Sequence, residues 1–168
     1  IAVVALVAIT VACEAIALRQ MLAELQNQRL VVDQHCIVTI SDLEGRLTYV
    51  NGKFTEISQY SSAEALDQTE SIVNSGYHSR SFFKAMWDTL QAGKVWRGEI
   101  CNRKKDGGLY WVDATLVPFL DAESRPYQYF GIYTDLTERK QVEAELTGAR
   151  DHALEGEGEL VPVEDVEH

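Results

Sequence analysis

The chain is short of basic residues. Fifteen Lys and Arg stand against 26 Asp and Glu, a formal charge of −11. That balance excludes nucleic acid as a partner, because duplex binding requires a cationic surface to displace counterions. Part of the imbalance is local, since residues 151–168 hold seven acids and no Lys or Arg. Cysteine is scarce too. Cys13, Cys36 and Cys101 are an odd number, far apart, with no C-x-x-C. This fits a reduced cytoplasmic compartment and offers no metal site. No G-x-G-x-x-G, Walker loop, nucleophile motif or metal-ligand cluster occurs, so the chain is not expected to be an enzyme.

What is present suits one domain with flanking segments: 168 residues, 46% of them apolar. Residues 1–18 carry a single charge, Glu14, before Arg19 closes the run. The length is slightly under the roughly 20 apolar residues of a spanning helix. Because the chain opens at Ile, residues 1–19 are read as the truncated end of a transmembrane helix that anchors the protein in the inner membrane. A signal-peptide core or a buried amphipathic helix is the alternative, and Glu14 weighs against the span. Residues 20–34 follow as a linker helix. Leu18, Leu22, Leu25 and Val32 recur at 4-, 3- and 7-residue steps, a seam suited to a partner helix and hence to a homodimer.

The folded body runs over residues 35–135. HCIVTISD alternates as a strand, Glu44-Gly45 turns, and RLTYV returns. Asn51 opens a short helix. Residues 80–92 form a longer one, with Phe83, Met86, Trp87 and Leu90 on one face and Gly93 as its stop. Strands follow at 95–104, 109–119 and 126–134, joined by Asp106-Gly107-Gly108 and by Asp121 to Arg125. The expected fold is α+β, a five-stranded antiparallel sheet with short helices on one face. A connector helix spans 136–154, with Val142, Leu146, Ala149 and Ala153 at 4-3-4 spacing, and 155–168 reads as an acidic disordered tail.

Residues two apart on a strand share a face, so Trp96, Gly98, Ile100 and Asn102 point one way, and Val112, Ala114 and Leu116 form the matching face of the next strand. Ala114 leaves space, and Asn102 places an amide in a mostly apolar interior. Such a cavity suits a planar heterocycle, whose carbonyl and N–H an amide can meet together. An ordinary core tryptophan and a strand-end asparagine bonded to backbone are the plainer alternatives.

The segments DQHCIVTISDLEGRLTYVNGKFTEISQYS, KVWRGEICNRKKDGGLYWVDATLVPF and YFGIYTDLTERK, in that order, resemble the PAS fold with its C-terminal extension motif. Asp135-Leu136-Thr137 corresponds to that family's D-I-T signature. The resemblance implies that Asp135 and Thr137 tie the last strand to the outgoing helix as signal-relay residues. The stretch ESIVNSG…W-x-G-x-x-x-NR-x-K is similar to PAS domains of the aerotaxis-receptor and nitrogenase-regulator type, which bind FAD. On that match Trp96 and Asn102 contact the flavin, Glu70 and Asn74 lie near the ring, and Gly98 allows close approach. A cofactor-free dimerisation module is the rival, with Trp96 packed on Leu116 and Phe83 and no useful cavity.

Covalent flavin photochemistry of the LOV type needs a cysteine that residues 61–92 lack. Haem would need an axial ligand, and His78, the candidate, is expected at the surface; His35 is expected to be packed at the start of the first strand. TERKQVEAELTGARDHALE is similar to connectors that lead into histidine kinases, and a diguanylate cyclase is an equally compatible output. The kinase's own His-Glu motif is absent, and His152 and His168 lack its context.

Overall fold

The computed structural model describes the backbone of residues 2–156 and the side chains of residues 12–148. Helix α1 (Ala2–His35) leads into a hairpin of β1 (Ile37–Ser41) and β2 (Leu47–Val50). Three short elements follow: α2 (Gly52–Ser58), α3 (Ser62–Ala65) and a 3-10 turn at Glu70–Val73. Helix α4 (Arg80–Gln91) precedes β3 (Trp96–Arg103), β4 (Leu109–Leu120) and β5 (Pro126–Asp135), and α5 (Thr137–Gly156) leaves the domain.

Local chemistry accounts for the boundaries. The Asp42 carboxylate accepts the Glu44 and Arg46 N–H groups, and Gly45 takes the positive φ that closes the hairpin turn. Asn51 caps α2 and does more than cap it. Its Oδ1 accepts the N–H groups of Phe54 and Val38 while Nδ2 donates to Asp33 and to the Cys36 carbonyl, pinning the end of α1 to the sheet. Ser61 and Glu64 form a capping box on α3, and Ser79 caps α4.

All strand pairs are antiparallel, in the spatial order β2-β1-β5-β4-β3. The register lines up Ile37, Tyr133, Ala114 and Gly98 across four strands, and beside them Thr39, Gly131, Leu116 and Trp96. This face and the helices over it enclose the core of Leu47, Phe54, Val73, Met86, Leu90, Val112 and their neighbours. The five-stranded α+β architecture is therefore the expected one.

Some details differ from the sequence reading. The linker and the apolar run before it form one unbroken helix, because neither Gly nor Pro interrupts α1. The polar stretch between the Asn51 helix and residue 79, expected to be rich in turns, contains α3 and the 3-10 turn. His35 is exposed at the end of α1 instead of packed against the first strand. Among the described residues no helix is long and apolar enough to cross a membrane. The expected span falls largely on residues 1–11, whose side chains lie outside the described residues, as do residues 157–168 of the expected tail and His168. Leu18, Leu22 and Leu25 are more than half exposed on α1 while Val32 is half-buried, so the chain's own fold leaves most of the seam uncovered.

Candidate functional site

A cavity of about 360 Å³ lies between the sheet and the helices. Val73, the α4 residues Phe83, Met86 and Trp87, and Ile100 of β3 form its apolar wall. Thr69, Glu70, Ser71, Asn74, Asn102 and Tyr133 supply polar groups, and Glu44 contributes from the β1–β2 turn.

Glu70 is the chemical centre of the wall. Its Oε1 accepts hydrogen bonds from Thr39 Oγ1 at 2.8 Å and from Tyr133 Oη at 2.5 Å. Burial holds its carboxyl above the ordinary carboxylate range, and the two hydrogen bonds offset this only in part. The Tyr133 hydroxyl is likewise raised, first by burial and then by the Glu70 charge beside it. Gly131 makes the cluster possible: a Cβ there would lie 2.6 Å from Tyr133 Oη and 2.7 Å from Thr39 Oγ1.

The segment after the 3-10 turn is stitched to the open edge of β3. Asn74 and Asn102 form an antiparallel bridge. Ser75 Oγ donates to the Cys101 carbonyl at 2.5 Å, Arg103 donates to the Ser75 carbonyl at 2.8 Å, and His78 Nε2 accepts the Cys101 N–H at 2.9 Å. Both asparagines line the cavity, so this clip is also its side wall. It covers part of an edge strand, a region otherwise open to pairing with other chains.

The structure thus brings Glu70, Asn74 and Asn102 together and leaves four candidates out. Trp96 does not line the cavity. Its indole folds back over Gly98, where a Cβ would meet the ring at 2.7 Å, and meets Phe82 edge-on at 5.6 Å. Gly98 accordingly makes room for Trp96, not for a ligand. Ala114 is fully buried within the sheet, opposite both Gly98 and Tyr133. His78 is half-buried, not at the surface, stacked 4.2 Å from Phe82 with its Nε2 engaged, and it is not part of the lining.

Reading the sequence missed Tyr133, although Tyr129, Gly131 and Tyr133 alternate toward the same face as Ala114. It also missed Glu44, Thr69 and Ser71, which only the tertiary fold brings to the site.

The outgoing helix is held at three places. Thr137 donates its N–H and its hydroxyl to Asp135 Oδ1, at 2.8 and 2.5 Å, and its Oγ1 accepts the Trp111 N–H at 3.0 Å. The Leu136 N–H donates to the Trp111 carbonyl. Arg139 and Lys140 grip the two oxygens of Glu99 on β3 at 3.1 and 2.6 Å, and Lys140 holds that carboxyl below its ordinary range while lying over the Trp111 ring.

Comparison with known proteins agrees with this architecture. The chain is 30% identical over 109 residues to a nitrogen fixation regulatory protein of Klebsiella pneumoniae, covering 65% of this chain and 22% of that protein. It is 30% identical over 115 residues to the aerotaxis receptor of Escherichia coli (strain K12), covering 68% of this chain and 22% of the receptor. The chain thus spans about a fifth of the length of these relatives. Among solved structures, an RNA-binding Light-Oxygen-Voltage receptor matches with a TM-score of 0.61 at 23% identity, over 69% of this chain and 34% of that one. The PAS domain of a protein from Colwellia psychrerythraea matches with a TM-score of 0.55 at 22% identity, over 68% of this chain and 98% of that one. Residues 23–136 match the PAS fold family, and the chain belongs to it as a sensory signalling module.

Proposed function

We propose that this module senses redox state or oxygen through non-covalently held FAD, within a membrane-bound signal-transduction protein whose output is a histidine kinase or a diguanylate cyclase. One observation carries the reading. A chamber with an apolar wall presents two amides, Asn74 and Asn102, close to a carboxyl that burial biases toward its protonated form, Glu70. Those residue types fit a flavin ring, which has one hydrophobic end and one edge of alternating carbonyl and N–H groups. Relatives named for aerotaxis and for the regulation of nitrogen fixation support a sensory role.

Bound flavin supplies reversible uptake of electrons with protons. The chain's residues do the rest. Phe83, Met86, Trp87 and Ile100 exclude water, Asn102 orients the ring edge, and the Thr39 and Tyr133 hydroxyls, both donating to Oε1, fix the Glu70 carboxyl in place. A changed hydrogen-bond pattern at Asn102 acts on β3, which pairs with β4 along its whole length and carries Glu99. From there Trp111, Asp135, Thr137 and the Glu99 ion pairs pass the change to α5, biasing two packings of a dimer's helices. In this reading the exposed seam of α1 meets its counterpart in the dimer, and residues 1–18 hold the domain at the cytoplasmic face of the inner membrane.

The test is an absorbance spectrum of freshly purified protein, expected to show flavin bands. A colourless protein that also fails to take up added FAD would remove the reading. The rival, a cofactor-free interaction module, gains from Trp96 being core packing and loses from the open cavity. Ile100→Trp separates the two: it fills the chamber and abolishes flavin uptake under the first reading, and leaves the parent protein's signalling intact under the second.

A further inference from the structure

Among the described residues, none that lines the cavity carries a positive charge. Its acids are Glu70 within and Glu44 on the exposed β1–β2 turn. The cationic side chains Arg46, Lys84 and Arg103, close to its lining in sequence, are engaged elsewhere, Lys84 with Asp88. Arg46 donates to the Asp67 carbonyl at 3.2 Å, and Arg103 donates to the carbonyls of Gly107 and Ser75. At the start of helix α4 the Phe82 N–H is already taken by Ser79 Oγ, and Ser79, Arg80, Ser81 and Phe82 do not line the cavity. Phosphate sites depend on just such groups, a guanidinium, an ammonium or unsatisfied helix N–H donors. The volume points the same way. About 360 Å³ lies near the lower limit of ligand pockets, which run from roughly 300 to 1,000 Å³. A fused tricyclic ring fits that space and a whole dinucleotide does not.

Resting on the flavin reading above, we infer that the site recognises the isoalloxazine ring alone and leaves the ribityl phosphate and adenosine in solvent. Riboflavin, FMN and FAD therefore bind with similar affinity. Glu44 sets the sign of the small difference between them. A phosphate leaving the chamber passes its carboxylate, and this like-charge contact is screened as salt rises.

The experiment titrates ligand-free protein with riboflavin, FMN and FAD at low salt and at about 0.5 M salt, and repeats it with Glu44→Lys. Glu44 is exposed and its hydrogen bond to Asp42 uses only its backbone N–H, so the substitution leaves the turn intact. The three ligands are expected within about threefold of one another, with FMN and FAD tightening about two- to fivefold in salt and riboflavin unchanged. Glu44→Lys is expected to reverse the salt effect and to favour the phosphorylated ligands. FAD binding about tenfold or more tighter than riboflavin, or weakening with salt in the unsubstituted protein, overturns this inference and leaves flavin sensing standing. Failure of all three ligands to bind overturns both.

Discussion

The His78 clip makes the domain acid-sensitive in a way that can be worked out. Its Nε2 accepts the N–H of Cys101, a buried residue, so the ring must be neutral at that nitrogen. Its surroundings are aromatic, with Tyr77, Phe82, Phe83 and Trp111 around it, and burial lowers its pKa below the ordinary value. A group with a lowered folded-state pKa takes up protons more readily when the chain unfolds. Its contribution to stability is complete above the unfolded value of about 6.5 and is lost as pH falls through the folded value.

Replacing His78 by Ala removes the acceptor and leaves a buried N–H unsatisfied, at about 1–3 kcal/mol. It also removes the stack on Phe82, at about 0.5–1.5 kcal/mol. The expected loss near neutral pH is about 2–4 kcal/mol, which for a domain of this size lowers Tm by on the order of 10–20 °C. Urea unfolding followed by tryptophan fluorescence, at about pH 7.5 and about pH 5.5, gives the comparison. The unsubstituted protein should lose stability at the lower pH, and the variant should lose less between the same two values. If both lose the same amount, His78 is not the group that titrates and the clip argument fails.

Two further outcomes follow from contacts already described. Trp96→Ala removes a side chain packed against the core and should cost about 2–4 kcal/mol in urea unfolding, while flavin affinity of the folded protein stays within a few-fold; loss of flavin with an unchanged unfolding midpoint would place Trp96 back in the lining. The Glu64 carboxyl is held at about 2 by Lys105 and by the Ser61 cap, so its contribution is present above the unfolded value of about 4.3 and fades as pH falls toward the folded one. Glu64→Gln should flatten that acid limb, and an unchanged limb would show that the exposed pair contributes nothing.

Much of the fold was legible because its signals are local. Hairpin turns, caps and period-two alternation fix β1 through β5 and α4 without knowledge of the whole. Alternation on β3 also identified the inward face, and it found Asn102. It could not say where along the strand the cavity lies. Trp96 shares the face of Asn102 yet sits beyond the cavity, with Gly98 letting its indole fold back. Position along a strand is set by what crosses above it, here the 3-10 turn and α4. The same limit hid His78, whose partner is 23 residues away, and Glu44, which reaches the site only because a hairpin turn and a helix meet there. Glu70 and Asn74 came from family likeness and not from periodicity, since a short turn has no period to read.

Helix α5 is 20 residues long, a rod of about 30 Å at roughly 1.5 Å per residue, and the sheet holds it over its first turn, at Thr137, Arg139 and Lys140. Held at one end, such a rod is a lever. A tilt of about 5° at Thr137 swings its far end by about 2.6 Å, half of the roughly 5.4 Å pitch of one helical turn. A displacement too small to see among the strands is thus magnified before it reaches whatever the rod is joined to.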